Sequence, residues 1–217
     1  MLSPHVYPFV ERSVLHPAVT IDEQYQAFEE VTRLGLAGLT VAPFWVKKFR
    51  RDLGEVNSVS LNTVVGYPYG YQRTEAKQTE VEWALKDGAS NVEVVVNTSA
   101  LYSPASVWQK VELAKLVSLI HAQERLFTVV LESSLLDETL VRKMIKIAAD
   151  AGADFIKNAT GAVQTDFLLN DAIQFRQWVP ASVGVKIIGD GATPDELSRL
   201  IDEGVERLVL AHPLESG

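Results

Sequence analysis

Two short apolar runs each end in a lysine: Asp154-Phe155-Ile156-Lys157-Asn158 and Val183-Gly184-Val185-Lys186-Ile187. The lysines are 29 residues apart, about one strand-helix unit. Lysine is almost never buried without a partner or a chemical task. An apolar strand gives it little choice of environment, so both are candidates for a reactive amine or the cation beside one.

The same rhythm extends through the chain. Apolar, β-branched runs occur at Phe9-Val10 with Ser13 to Leu15, Gly38 to Val41, Ser58 to Gly66, Asn91 to Asn97, Leu126 to Leu131, Asp154 to Ile156, Val183 to Ile188 and Arg207 to Ala211. Glu11, Thr40, Val64, Glu93, Val130, Lys157, Lys186 and Val209 mark them at intervals of 23 to 37 residues. Helical patterns separate the runs. Thr20-Ile21-Asp22-Glu23 and Thr193-Pro194-Asp195-Glu196 are capping boxes. Gly35, Gly88, Gly152 and Gly204 stand where helices from Thr20, Thr74, Asp137 and Thr193 would stop. Helices are also predicted over Ser106 to Gln123, long and amphipathic, and Thr165 to Trp178.

Eight strands alternating with helices predict an α/β fold, a closed (β/α)8 TIM barrel rather than an open sheet. No Gly-x-Gly-x-x-Gly follows an early strand, which weakens the dinucleotide-binding alternative. No linker interrupts the pattern, so residues 1–217 are expected to form one domain. The chain stops soon after the eighth run, which predicts a missing or vestigial last helix and a partner subunit over the gap.

Composition narrows the function. The formal net charge of −8 argues against nucleic acid or an anionic membrane as the main partner. The basic run Lys47-Lys48-Phe49-Arg50-Arg51 is expected to be a solvated helix end. There is no cysteine, which excludes disulfides, thiolate metal sites and cysteine nucleophiles. The N-terminus lacks the pattern of a signal peptide, and no apolar run approaches membrane-spanning length. Two Asn-x-Ser/Thr patterns, at Asn97 and Asn158, then carry no weight. A cytoplasmic protein is expected, with a homo-oligomer, most simply a dimer, as its assembly.

Alternation of side chains along a strand assigns faces. Phe155 and Lys157 share one, Gly184 and Lys186 another, and Glu93 and Val95 a third, while Val92, Val94 and Val96 suit packing on helices. Glu93 and both lysines therefore point into the barrel. Lys157 lies near the C-terminal end of its strand, where barrel enzymes carry their chemistry. An amine attacks a carbonyl only when neutral, and burial beside a second cation favours that form. Lys186 supplies the cation and Lys157 the nucleophile. The protonated imine would act as an electron sink, with Glu93 and Glu11 moving protons and balancing charge. The same four residues could equally form a purely structural buried ion-pair network.

The residues around the lysines bear a resemblance. Gly152-Ala153-Asp154-Phe155-Ile156-Lys157-Asn158-Ala159-Thr160-Gly161 resembles the Schiff-base strand of the deoxyribose-phosphate aldolases, typically Gly-Ala-Asp-Phe-Ile-Lys-Thr-Ser-Thr-Gly. Val183-Gly184-Val185-Lys186 resembles the family's second lysine strand, Val64 to Gly70 its Val-Val-Gly-Phe-Pro-x-Gly turn, and Gly88 to Asn97 its fourth strand. The resemblance implies a class I aldolase that cleaves 2-deoxyribose 5-phosphate reversibly to acetaldehyde and glyceraldehyde 3-phosphate, without metal or other cofactor. It makes Lys157 the Schiff-base lysine and Lys186 the lysine that tunes it. It also places Thr160 and Gly161 against substrate.

The chain departs from the family at other positions. Glu93 and Glu11 stand where the family has aspartates, and Thr40 replaces a second-strand cysteine at a position grouped with the substrate contacts. After the seventh strand, Gly189-Asp190-Gly191-Ala192-Thr193 replaces a Gly-Gly-x-Arg-Thr phosphate cradle. A carboxylate ~4 Å from a phosphate would cost on the order of 4 kcal/mol per charge pair at an effective dielectric of ~20. Asp190 is expected at the positive end of the following helix, in place of a ligand anion. After the eighth strand, Ala211-His212-Pro213 replaces the family's serine-rich loop, leaving His212 as a candidate anion contact. The expected substrate is a small aldehyde or sugar, with an altered or non-phosphorylated acceptor. The alternative is a non-catalytic relative that binds a metabolite or protein.

Overall fold

A computed structural model describes residues 2–54, 59–102 and 107–214. Eight parallel strands close into a barrel in sequence order. They are β1 (Val10–Val14), β2 (Gly38–Val41), β3 (Ser60–Val65), β4 (Asn91–Val95), β5 (Leu126–Val130), β6 (Phe155–Lys157), β7 (Gly184–Ile188) and β8 (Arg207–Leu210). The seam closes where Val10, Glu11 and Arg12 pair with Leu208, Val209 and Leu210. All eight predicted strands are present, most with their ends trimmed. The predicted starts at Ser58 and Ser106 lie outside the described residues.

The helices are α1 (Ile21–Leu34), α2 (Val46–Leu53), α3 (Thr74–Lys86), α4 (Thr98–Leu101), α5 (Val107–His121), α6 (Glu138–Ala151), α7 (Leu169–Trp178) and α8 (Pro194–Asp202). Both predicted capping boxes form, at Thr20 with Glu23 and at Thr193 with Glu196. Gly35 and Gly152 end α1 and α6 in the left-handed region, which glycine enters at little cost. α7 begins four residues later than predicted. Residues 161–168 instead form a loop, with Phe167 packed against the core.

The basic run is more than a helix end. Val46, Phe49 and Leu53 bury one face of a full helix, α2, and Phe49 stacks on Phe28 at 5.6 Å. Lys47, Lys48 and Arg51 lie off that buried stripe, while Arg50 folds back to donate to the Gly88 carbonyl (2.7 Å) and Ser90 Oγ (2.6 Å). α5 is not amphipathic as expected, because Trp108 and Val111 face solvent. Among the described residues, no helix is long and apolar enough to cross a membrane.

No helix follows β8 among the described residues. The segment after it is pinned instead. Arg12 donates from Nε to Glu30 Oε2 (2.7 Å) and from Nη1 to the Leu210 carbonyl (2.8 Å). Glu30 Oε1 accepts from the Leu214 N–H (2.8 Å), stapling the segment to α1.

The outward strand residues, such as Val92, Val94, Val129, Ile156 and Val185, are fully buried against the helices. Each such aliphatic side chain contributes about 1.5–3 kcal/mol through removal from water. The barrel interior is unusually polar: Glu11, Thr40, Asn62, Asn91, Glu93, Thr128, Lys157 and Lys186 are all buried. The uncharged members pair with each other, Asn62 Nδ2 donating to Thr40 Oγ1 (3.3 Å) and Thr128 Oγ1 to Asn91 Oδ1 (3.0 Å).

One glycine is set by this packing. A Cβ at Gly184 would lie 2.5 Å from Phe155 Cε1, and the Phe155 ring carries Lys186 Nζ 5.2 Å from its centroid. Gly184→Ala is expected to destabilise the protein by about 1–3 kcal/mol through overpacking, with Phe155→Leu in the same chain restoring part of the loss. Urea unfolding of both variants measures this, and an unchanged midpoint for the single variant would refute it.

Candidate active site

β1, β4, β6 and β7 each contribute one ionisable residue to the barrel interior. Lys157 Nζ donates to Glu93 Oε2 (2.8 Å). Lys186 Nζ donates to Glu93 Oε1 (3.0 Å) and to Glu11 Oε1 and Oε2 (2.9 and 2.7 Å). Glu93 thus bridges the two lysines, one oxygen to each. Glu11 balances Lys186 and has Arg207 Nε 3.6 Å away. All four are buried, Lys157 and Lys186 at 1% and 0% exposure. The geometry assembles Lys157, Lys186, Glu93 and Glu11 from positions spread over 176 residues of sequence.

The two lysines are held differently. An ammonium has three protons to donate. Lys186 has three carboxylate contacts for them, whereas Lys157 has one. Burial works to lower the Lys186 pKa, but the adjacent Glu11 and Glu93 carboxylates outweigh it and hold that ammonium above its ordinary value. Burial likewise works to raise Glu93, yet the ammoniums of Lys157 and Lys186 bring it down to about 2. In the resting site Glu93 is therefore an anion and Lys186 a cation.

A cleft of about 2330 Å³ opens above these residues, at the C-terminal ends of the strands. The four ionisable groups lie beneath it rather than on its wall. Asn158, Ala159, Thr160 and Gly161, continuing directly from Lys157, do line it, as do Arg12, Tyr67, Asp190 and His212. Asn158 Oδ1 accepts from the Ile188 N–H (2.9 Å), tying the β6 and β7 ends together. Gly161 turns the chain at φ +80°. Gly189 is packed against Leu197 below the cleft. Thr40 lies apart from the cleft, with its hydroxyl in the interior layer beside Asn62. His212 is exposed.

Asp190 is not at the end of α8. That end is closed by its own capping box, in which Glu196 Oε2 accepts from the Thr193 N–H and hydroxyl. The Asp190 carboxylate reaches across to accept from the Ala211 N–H (2.9 and 3.1 Å), joining the loops after β7 and β8.

Sequence reasoning missed Glu132, Tyr67 and Arg207. Glu132 lies two residues beyond β5, buried, and accepts from the Thr160 N–H (2.6 Å) and hydroxyl. Burial raises its pKa, partly opposed by Thr160 and Lys157. Tyr67 is raised by burial and by the nearby Glu132. Among the described residues, no group of three His, Asp or Glu side chains is placed to hold a metal ion.

Glu93 connects the site to stability. A depressed carboxylate contributes stability above its unfolded pKa, near 4.5, and loses it as pH falls towards about 2. Glu93→Gln leaves both ammoniums short of charge and is expected to cost about 3–5 kcal/mol at pH 7. The gap from wild type should narrow between pH 4.5 and 2. Urea titrations across that range test it, and a constant gap would count against the assignment.

The likeness to known proteins follows the same lines. Residues 21–209 match the model of the DeoC/LacD family of aldolases. A deoxyribose-phosphate aldolase of Clostridium botulinum is 30% identical over 200 residues, 92% of this chain and 93% of that protein. One from Thermococcus kodakarensis is 29% identical over 201 residues, 92% of this chain and 90% of that one. The solved structure of QR15, an aldolase, superposes with a TM-score of 0.86 at 25% identity, covering 95% of this chain and 91% of that one. In fold alone, the Aeropyrum pernix deoxyribose phosphate aldolase is also similar, with a TM-score of 0.84 at 22% identity over 95% and 87% of the two chains. With a closed parallel barrel, paired interior lysines and a family match spanning nearly its whole length, this chain belongs to the DeoC/LacD family of aldolases, the family of the deoxyribose-phosphate aldolases.

Proposed function

We propose that the protein is a class I aldolase in which Lys157 forms the Schiff base. The observation that carries this is the unequal partnering of the two lysines. Lys186 is committed as a cation by three carboxylate contacts, while Lys157 has one contact to give up.

Lys157 passes a proton to Glu93, its hydrogen-bonded neighbour, and the free amine adds to the aldehyde carbon. The aldehyde oxygen leaves as water, and the nitrogen becomes a protonated imine. Loss of a proton from the adjacent carbon gives an enamine. Its carbon attacks a second aldehyde, forming the new carbon–carbon bond, and hydrolysis frees Lys157. Cleavage runs the same steps backwards. Lys186 and Glu11 keep the local charge fixed while Glu93 takes and returns the proton.

The substrate is a 2-deoxyribose-type sugar, cleaved to acetaldehyde and a hydroxyaldehyde. Asp190 supports an acceptor without phosphate, because its carboxylate already occupies the Ala211 N–H at the mouth of the cleft. A phosphate there would lose that donor and face a like charge. Cytoplasmic residence belongs to the same reading. A homodimer is the expected assembly, and exposed Trp83, Tyr102, Trp108 and Val111 support self-association.

Incubation with acetaldehyde and borohydride is expected to leave a reduced adduct on Lys157, located by mass and absent from Lys157→Leu. An adduct found on no lysine would refute the aldolase and favour a non-catalytic relative. Lys186→Met should lower the cleavage rate by about 10²–10⁴-fold. For specificity, Asp190→Gly is expected to raise the preference for deoxyribose 5-phosphate over deoxyribose by about tenfold, or ~1.4 kcal/mol. A wild-type enzyme that already strongly prefers the phosphate would refute the role given to Asp190.

A further inference from the structure

On the aldolase reading above, we propose that Glu132 is a positioning residue that fixes the polarity of the Thr160 hydroxyl, making it an acceptor for a hydroxyl of the bound sugar.

The assignment follows from counting protons. A threonine hydroxyl has one proton and two lone pairs. Thr160 Oγ1 lies within hydrogen-bond reach of Glu132 Oε1 and accepts from the Ala162 N–H (3.1 Å). The same Oε1 also accepts the Thr160 N–H at 2.6 Å. An oxygen that receives an N–H so closely cannot carry the acid proton towards the same residue. When Glu132 is protonated, the proton must be on Oε2. Oε1 therefore accepts in either state, and the Thr160 hydroxyl must donate to it. One lone pair remains on Oγ1, and Thr160 lines the cleft beside Gly161. That lone pair can receive a hydrogen bond but the hydroxyl has no second proton to give.

Burial makes this arrangement firm. Glu132 and Thr160 are exposed by only 2% and 4%. Glu132 Oε2 is buried without a protein partner among the described residues, and Glu132 also borders a second cavity of about 370 Å³ with Tyr69, Tyr102 and Leu135. The demand is for an oxygen acceptor at Oε1 rather than for a negative charge. An amide carbonyl can meet it, whereas an alkyl group cannot.

The steady-state test uses 2-deoxyribose or its 5-phosphate, whichever wild type cleaves. Thr160→Val and Glu132→Leu should each raise KM by about tenfold, the scale of one hydrogen bond in a desolvated site, with a smaller change in kcat. Thr160→Ser and Glu132→Gln should stay within about threefold of wild type. The double variant Glu132→Leu, Thr160→Val should be no worse than Thr160→Val alone, because Glu132 acts through Thr160. If Glu132→Leu does not fold, the Val and Ser variants at 160 and the Gln variant at 132 still decide. Unchanged KM in Thr160→Val, or Glu132→Gln as impaired as Thr160→Val, overturns the proposal while leaving the Schiff base intact. A wild-type protein that traps no acetaldehyde, or traps it and cleaves neither sugar, overturns it by removing the aldolase reading or the hydroxylated ligand.

Discussion

The shared carboxylate of Glu93 is the interaction on which the interior depends. Two ammoniums lie inside a barrel with almost no access to water, a placement costing several kcal/mol per ion unless each is paired. Glu93 gives one oxygen to each lysine, and Glu11 supplies the second negative charge. The pairing spans β1, β4, β6 and β7, so it constrains the register of half the barrel. A one-residue slip of β4 would turn Glu93 outward among helices and leave both lysines unpaired. The uncharged polar pairs of the interior, Thr40 with Asn62 and Asn91 with Thr128, close hydrogen bonds between themselves.

Much of this was legible in the sequence because period and punctuation agreed. Alternation in Val92, Glu93, Val94 and Val95 assigned Glu93 to the interior, and the capping boxes at Thr20 and Thr193 marked two helix starts to the residue. α2 was hidden because its buried stripe is only Val46, Phe49 and Leu53, under a run of charges that dominates the composition. The exposed side of α5 shows the opposite error: apolar residues at helical spacing need not all face a core. Glu132 escaped because its neighbour in space, Thr160, is 28 residues away and carries no periodic signal. Arg207 marked the start of a strand and gave no hint that it would approach Glu11.

The loops at the C-terminal ends of the strands are tied to each other by side chain to backbone bonds. Asn158 joins the ends of β6 and β7, Asp190 joins the loops after β7 and β8, and Glu132 holds the turn at Thr160. Each is a polar side chain closing a backbone N–H that no strand or helix satisfies. Such contacts are invisible to hydropathy, which explains why the sequence indicated the barrel more completely than its rim. They also make the cleft wall a set of pairwise links rather than independent loops.

The contact between Gly184 and Phe155 has a consequence for divergence. The two positions behave as one heritable unit, because the ring occupies the space that any side chain at 184 would need. In related chains a larger residue at 184 should be accompanied by a smaller one at 155. The route between the two states passes through either an overfilled or a hollow intermediate. With Lys186 beside that ring, either intermediate also disturbs a buried charge. The pair is therefore expected to change rarely and together, acting as a ratchet on drift in the strand that carries Lys186.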